Sequence, residues 1–190
     1  MAKHPSWTRQ FMSEADFDAV TRAIKAAESR TSAEIRVHLE RRVPRRLLLG
    51  PAPDVMTRAR HVFRRLGMHK TAERHGVLIY LAVEDRRFAV VGDEGIHGRV
   101  GDPHWHRVPV VVADAPVDAL VADDRETPLL DRQIDQHAVA LGGAVHAEPV
   151  EHAPREAIER GVVELGRALA EHYPRRPDDR NELSDDVSVT

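Results

Sequence analysis

Gly76-Val-Leu-Ile-Tyr-Leu-Ala-Val83, followed by Glu84-Asp-Arg-Arg87 and Phe88-Ala-Val-Val91, is the stretch on which the fold turns. The first run is almost wholly apolar and strand-sized, as expected of a strand covered on both faces. A charged four-residue connection then returns the chain into a second apolar run, which reads as a β-hairpin. The sheet that holds it therefore contains at least one antiparallel pair.

Upstream, Ala33-Glu-Ile-Arg-Val-His-Leu-Glu40 alternates, with Ile35, Val37 and Leu39 on one face and Glu34, Arg36, His38 and Glu40 on the other. This predicts a strand with one buried face and one wetter face. Ser13-Glu-Ala-Asp16 resembles a capping box, and Phe17, Val20, Ile24 and Ala27 recur at helical spacing, so residues 13–30 read as an amphipathic helix. Asp54 is placed to cap a second helix with a stripe of Val55, Ala59, Val62, Phe63 and Leu66, and Gly67 is placed to stop it. Residues 41–53 mix arginine, proline and Leu47-Leu-Leu49 and read as a loop.

Downstream, residues 107–153 lack sustained periodicity of either kind and read as a long excursion. Val108-Pro-Val-Val-Val-Ala113 within it has strand composition, but its proline restricts it to an edge at best. Helical order returns at Pro154, with Ile158, Val162, Leu165 and Leu169 in one stripe as far as Tyr173. Residues 1–12 then form an N-terminal extension, 13–174 the domain, and 175–190 a charged tail that is loose except where it docks.

Composition sets limits on function. A chain of 190 residues can bury a core without a covalent staple. With no cysteine, disulfides, thiolate zinc sites and thiol catalysis are excluded. Aromatics are only 4%, so Val, Leu, Ile and Ala must build the core. A net charge of −3, from 28 basic and 31 acidic side chains, gives no overall pull toward nucleic acid. The opening MAKHPSWTRQFM lacks the apolar run of a secretory signal, and no stretch has the length of a membrane span. A soluble, cytoplasmic protein without nucleic-acid or membrane partners is the expectation.

Several motifs, in order, resemble the TPM domain family (the TLP18.3/Psb32/MOLO-1 group) in its soluble bacterial branch. They are Thr31-Ser-Ala-Glu-Ile-Arg-Val-His38; Arg65-Leu-Gly-Met-His-Lys-Thr-Ala-Glu-Arg-His-Gly-Val-Leu-Ile-Tyr80; and Glu84-Asp-Arg-Arg-Phe-Ala-Val-Val-Gly-Asp-Glu-Gly-Ile-His97. Val100-Gly-Asp-Pro-His-Trp105, Leu169-Ala-Glu-His-Tyr-Pro174 and Asp179-Arg-Asn-Glu-Leu-Ser-Asp185 extend the likeness. It covers residues 11–106 and 154–187. The resemblance implies a three-layer α/β/α sandwich with a small central mixed sheet, into which the elements above fit without adjustment. The departure is 107–153, where the family continues with a helix and a short Phe/Gly-rich turn; an insertion, a disordered loop and a compensated frame shift are the three readings.

Chemistry is sought around the hairpin. Asp85 sits at its turn, while Asp93, Glu94, His97 and Asp102 follow its second strand. A strand of seven or eight residues separates Asp85 from Asp93, so the two belong to opposite ends of the sheet. Glu34 joins one end or the other according to strand direction. Carboxylate oxygens suit hard cations, and the resemblance implies a Ca²⁺ or Mg²⁺ site near Asp93, Glu94 and Asp102, with Glu34 as a further candidate. The competing reading is plain, because Asp and Glu beside glycine are ordinary turn formers and N-caps.

Other groups carry less. His104-Trp-His106 reads as a turn around a buried Trp105, and His69, His75, His137, His146 and His152 have no partner signal. The arginines at 41, 42, 45, 46, 58, 60, 64 and 65 could recruit phosphate, but their spacing also fits a solvated face, and no Gly-rich phosphate loop accompanies them. Two functions follow. The first is a divalent-cation-binding interaction or regulatory module with an unknown protein partner. The second, by resemblance alone, is a metal-assisted acid phosphatase acting on phosphomonoesters, with water activated at Asp93 and phosphate held by Arg86 or Arg87.

Overall fold

The computed structural model describes residues 4–44, 54–96, 138–141 and 154–190. Helix α1 (Glu14–Glu28) starts on the capping box, with the Ser13 side chain accepting from the Asp16 amide and the Asp16 carboxylate accepting from the Ser13 amide. Strand β1 (Glu34–Glu40) follows, then α2 (Val55–Arg65), capped by the Asp54 side chain on the Thr57 amide. Gly67, at φ 75°, turns the chain out of α2 in the left-handed conformation that glycine adopts most readily. The hairpin is β2 (Gly76–Ala82) and β3 (Arg87–Asp93), and residues 94–96 are already helical. Strand β4 (Ala138–Leu141), helix α3 (Pro154–His172) and a short β5 (Ser188–Val189) complete the described elements.

The five strands lie in the order β4-β3-β2-β1-β5. β1 runs parallel to β2 and β5, whereas β3 is antiparallel to both β2 and β4. Because successive strand residues face opposite ways, Ile35, Val37, Leu39, Val77, Ile79 and Val90 turn to one side. There they meet Phe17, Val20 and Ile24 of α1 and Ile158, Val162, Leu165 and Leu169 of α3. Leu78, Tyr80, Ala89 and Val91 turn to the other side, onto Ala59, Val62 and Phe63 of α2. The result is an α/β/α sandwich around a mixed sheet. Each fully buried aliphatic or aromatic side chain contributes roughly 1.5–3 kcal/mol.

Three expectations change. The polar face of β1 is not wet: Glu34, Arg36, His38 and Glu40 are 7, 9, 1 and 2% exposed. Helix α2 and the C-terminal segment cover it, so each charge must find a partner inside. The charged tail is a docked segment, which adds β5 to β1 with His38 opposite Ser188 and Leu39 opposite Val189. The 107–153 excursion supplies a strand, β4, whose Val139 pairs with Gly92. The strand expected at 108–113 lies outside the described residues, as do His97, Asp102, the histidines at 104, 106, 137, 146 and 152, and the arginines at 45 and 46. The N-terminal extension also packs, with Thr8 and Met12 each 2% exposed.

Candidate functional site

Strand register brings the expected residues to one end of the sheet. Glu34 pairs with Gly76 and Val77 with Gly92, so Glu34 stands at the same end as Asp93. At that end Asp93 is 1% exposed. Its Oδ2 accepts from Arg74 Nε at 2.9 Å and its Oδ1 from the Glu94 amide at 2.8 Å, so it caps the helical turn at 94–96. Glu94 is half exposed, with an oxygen 4.0 Å from Arg74 Nη2.

Arg74 is held at φ 57°, a left-handed conformation costly for a residue with a Cβ. The turn is tightly built around it. The Gly95 amide donates to the Arg74 carbonyl at 3.1 Å, and a Cβ at Gly95 would stand 2.6 Å from that oxygen. The Tyr173 hydroxyl, arriving from the end of α3, donates to the Gly95 carbonyl at 2.7 Å, and its ring lies 4.2 Å from that of His75.

Glu34 reaches the same end and does something else there. Its two carboxylate oxygens accept from the amides of Glu182 at 3.0 Å and Leu183 at 3.3 Å. Burial raises its pKa, and those two amides oppose the rise. Asp85 lies at the opposite end, where it accepts from the Val43 amide at 2.7 Å. Arg86 and Arg87 stand at that far end too, with the length of β3, about 20 Å, between Arg87 and Asp93. The pairing of Asp93 with either arginine around one phosphate is therefore not assembled.

A cleft of about 400 Å³ opens beside the Asp93 end. Five carboxylates line it, from Glu34, Glu73, Asp178, Asp179 and Glu182, against the guanidiniums of Arg176 and Arg180. Several of these groups bond to one another: Glu182 accepts from the Ala72 amide at 3.0 Å, and Arg176 donates to Glu73. None of Glu73, Asp178, Asp179 and Glu182 was singled out in the sequence. They come from two segments about a hundred residues apart, and only the docking of the tail makes them neighbours. Among the described residues, no three His, Asp or Glu side chains converge as a metal ion would require.

The other end of β1 holds a buried charge network. Arg58 donates two hydrogen bonds to Glu40, and the Tyr80 hydroxyl donates a third at 2.6 Å. Burial alone would raise the Glu40 pKa, but Arg58, His38 and Tyr80 outweigh it and hold the carboxyl well below the usual range. Burial pushes His38 down and Tyr80 up. The arginines that the sequence offers for phosphate are largely engaged within the chain. Arg58 is on Glu40, Arg41 and Arg42 are on Glu84, and Arg65 reaches Thr190 Oγ1 at 2.8 Å.

The hairpin and the three-layer packing follow the plan that the sequence motifs implied, and the chain belongs to the TPM domain family. The family model matches residues 7–110, more than half of the 190. Among solved structures the chain is similar to the BA42 protein of the psychrophilic bacterium Bizionia argentinensis, determined by NMR. The two are 29% identical with a TM-score of 0.64, over 95% of this chain and 96% of that one. No curated protein matches. No helix among the described residues is long and apolar enough to cross a membrane.

Proposed function

We propose that the chain is a non-catalytic interaction module whose working surface is the Asp93 end of the sheet, tuned by a divalent cation, Ca²⁺ or Mg²⁺. The observation that carries this reading is Arg74, kept in a strained backbone conformation so that its guanidinium rests on Asp93 and faces Glu94. Strain of this kind clusters at ligand clamps as well as in turns, and Arg86 of the hairpin turn, at φ 53°, carries it too. At Arg74 it places a built-in positive charge on two oxygen-bearing side chains of the kind that hard cations take. Asp93 and Glu94 therefore fit such an ion by donor chemistry, with Arg74 as its competitor, and Asp102 is the third residue proposed. Glu34 is the remaining candidate; like Asp93 it would have to release its present partners, the Glu182 and Leu183 amides, to take an ion. A bound cation would supply charge neutralisation at this rim. The neighbouring cleft, with its excess of carboxylates, favours a partner bearing positive charge.

Titration calorimetry with CaCl₂ and MgCl₂ tests the reading. Heat of binding is expected for the wild type and its loss in Asp93→Asn; an athermal wild type, with no cation-dependent chemical-shift change at Glu94 or Gly95, would end it. Turnover of p-nitrophenyl phosphate that is present in the wild type and absent in Asp93→Asn would replace it with the phosphatase reading.

A further inference from the structure

One short segment belongs both to the Asp93 rim and to the cleft beside it. Thr71, Ala72, Glu73 and His75 line the cleft. Arg74, in their midst, does not; its guanidinium rests on Asp93 instead. Much of the remaining lining comes from the docked tail, a strap that contributes Arg176 and Glu182 among others. Two bonds join the strap to the segment. The Ala72 amide donates to Glu182 at 3.0 Å, and Arg176 donates to Glu73. Both end on residues 71–75, so they hold only while that wall of the cleft keeps its place.

Few bonds keep Arg74 at its φ of 57°. Three are between backbone groups: the Arg74 amide to the Thr71 carbonyl at 3.3 Å, the Gly95 amide to the Arg74 carbonyl at 3.1 Å, and the Glu34 amide to the His75 carbonyl at 3.2 Å. The bond from Arg74 Nε to Asp93 Oδ2 is shorter, at 2.9 Å, and is charge-assisted, which makes it the stronger kind. The turn at 94–96 also meets the segment directly. A Cβ at Gly95 would stand 2.6 Å from the Arg74 carbonyl oxygen, 2.8 Å from that of Glu73 and 2.7 Å from the His75 ring. Glycine lets the two backbones touch there with no side chain between them.

We infer that residues 71–75 couple the rim to the cleft: an ion at Asp93 and Glu94 displaces the Arg74 guanidinium, and the cleft wall then leaves the position it holds without the ion. This rests on the cation reading and deepens it, because it gives the ion control over the surface that meets a partner. The displacement is obligatory. Asp93 is 1% exposed, with Oδ2 on Arg74 and Oδ1 on the Glu94 amide. Of these two partners only the guanidinium, on a side chain 37% exposed, can swing into water without unwinding the turn. A ligand shifts a conformational equilibrium only by binding its two states unequally, and an ion that needs the oxygen under Arg74 meets that condition. Once its charge-assisted bond is gone, Arg74 relaxes toward the negative φ that a residue with a Cβ prefers. The peptide groups on either side of it turn, and the bonds from Ala72 to Glu182 and from Arg176 to Glu73 are loosened. The Glu73 and Glu182 carboxylates are then available to a positively charged partner.

Titration of the full chain with CaCl₂, followed by two-dimensional NMR, tests this. The Glu94 and Gly95 amides report on the rim, and those of Ala72, Glu73 and Glu182 on the cleft. All should move with one common midpoint, while Val37 in the centre of the sheet stays still. In Asp93→Asn the calcium response of Ala72 and Glu182 should vanish; if it persists, the ion sits in the cleft itself and the coupling is overturned. Arg74→Ala removes the guanidinium but keeps a Cβ, so its calcium-free Ala72 and Glu182 amides should already lie most of the way toward the calcium-loaded wild-type positions. Wild-type positions in that variant would overturn the coupling. Should Arg74→Ala not fold, the wild-type titration decides by itself. Movement at Glu94 and Gly95 with none at Ala72 and Glu182 overturns the coupling and leaves the cation reading standing, whereas no movement at any of them ends both.

Discussion

Arg74 and Asp93 show how little a residue's chemistry reveals until its conformation is known. Asp93 after a β-run and before Glu94-Gly95 reads equally as a ligand and as a cap. In the structure it caps residues 94–96 and is also paired to a guanidinium. Replacing Arg74 with asparagine keeps a residue tolerant of the left-handed region while removing the competing charge. Calorimetry should then give a Ca²⁺ affinity several-fold above the wild type, while the loss of the counter-charge to the buried Asp93 carboxylate should cost on the order of 1–3 kcal/mol of thermal stability without the cation. At the other end of β1, Glu40 answers two cationic bonds and a phenol. Glu40→Gln leaves Arg58 buried with a neutral partner and should cost about 3 kcal/mol in urea denaturation.

Helices α1 and α3 pack closely because of one small residue. A Cβ at Gly166 would stand 2.5 Å from the Ala27 Cβ, so Gly166→Ala must push the helices apart. The expected loss is about 1–3 kcal/mol by thermal denaturation, in spite of alanine's better helix propensity. The ends of these elements were legible in advance: Ser13 and Asp54 as caps and Gly67 as a stop each act through local geometry. The burial of the polar face of β1 was not. Alternation of Ile35, Val37 and Leu39 with Glu34, Arg36, His38 and Glu40 describes which side chains share a face. It carries no information on what lies against that face, which is set by α2 and by residues almost 150 positions away. Strand β4 escaped notice for a related reason, since four residues, Ala138-Val-Ala-Leu141, are too few to establish a period and owe their strand to pairing with β3.

For the molecule as a whole, two sets of buried groups give stability opposite dependences on pH. The pKa of Glu40 is depressed in the folded state, and that of His38 lies below its ordinary value. Both favour the fold most above their unfolded values, and their contribution is lost as pH falls. Glu28 and Glu34 are raised by burial, so their contribution is complete in acid and is lost as pH rises, through about 8 for Glu28. Folding free energy from chemical denaturation should therefore peak between these limits and fall toward alkaline pH. In Glu28→Gln the alkaline decline should shrink by an amount on the order of 3–5 kcal/mol by pH 9. A decline of equal size in the variant would place its cause elsewhere.

The sequence alone determined the class of fold, its hairpin, the helix caps and the family, because these depend on periodicity, turn chemistry and motifs read within short windows. It also brought Asp93 and Glu94 forward as candidates. Only the tertiary structure decided that Glu34 stands at the Asp93 end and meets the amides of the tail, that Arg74 is the counter-charge at Asp93, and that Glu73 and the acids of the tail share one cleft. Those assignments rest on parallel pairing of β1 with β2 and on a strap docking across the chain, and a charge finds its partner through such long-range contacts rather than through its neighbours in sequence.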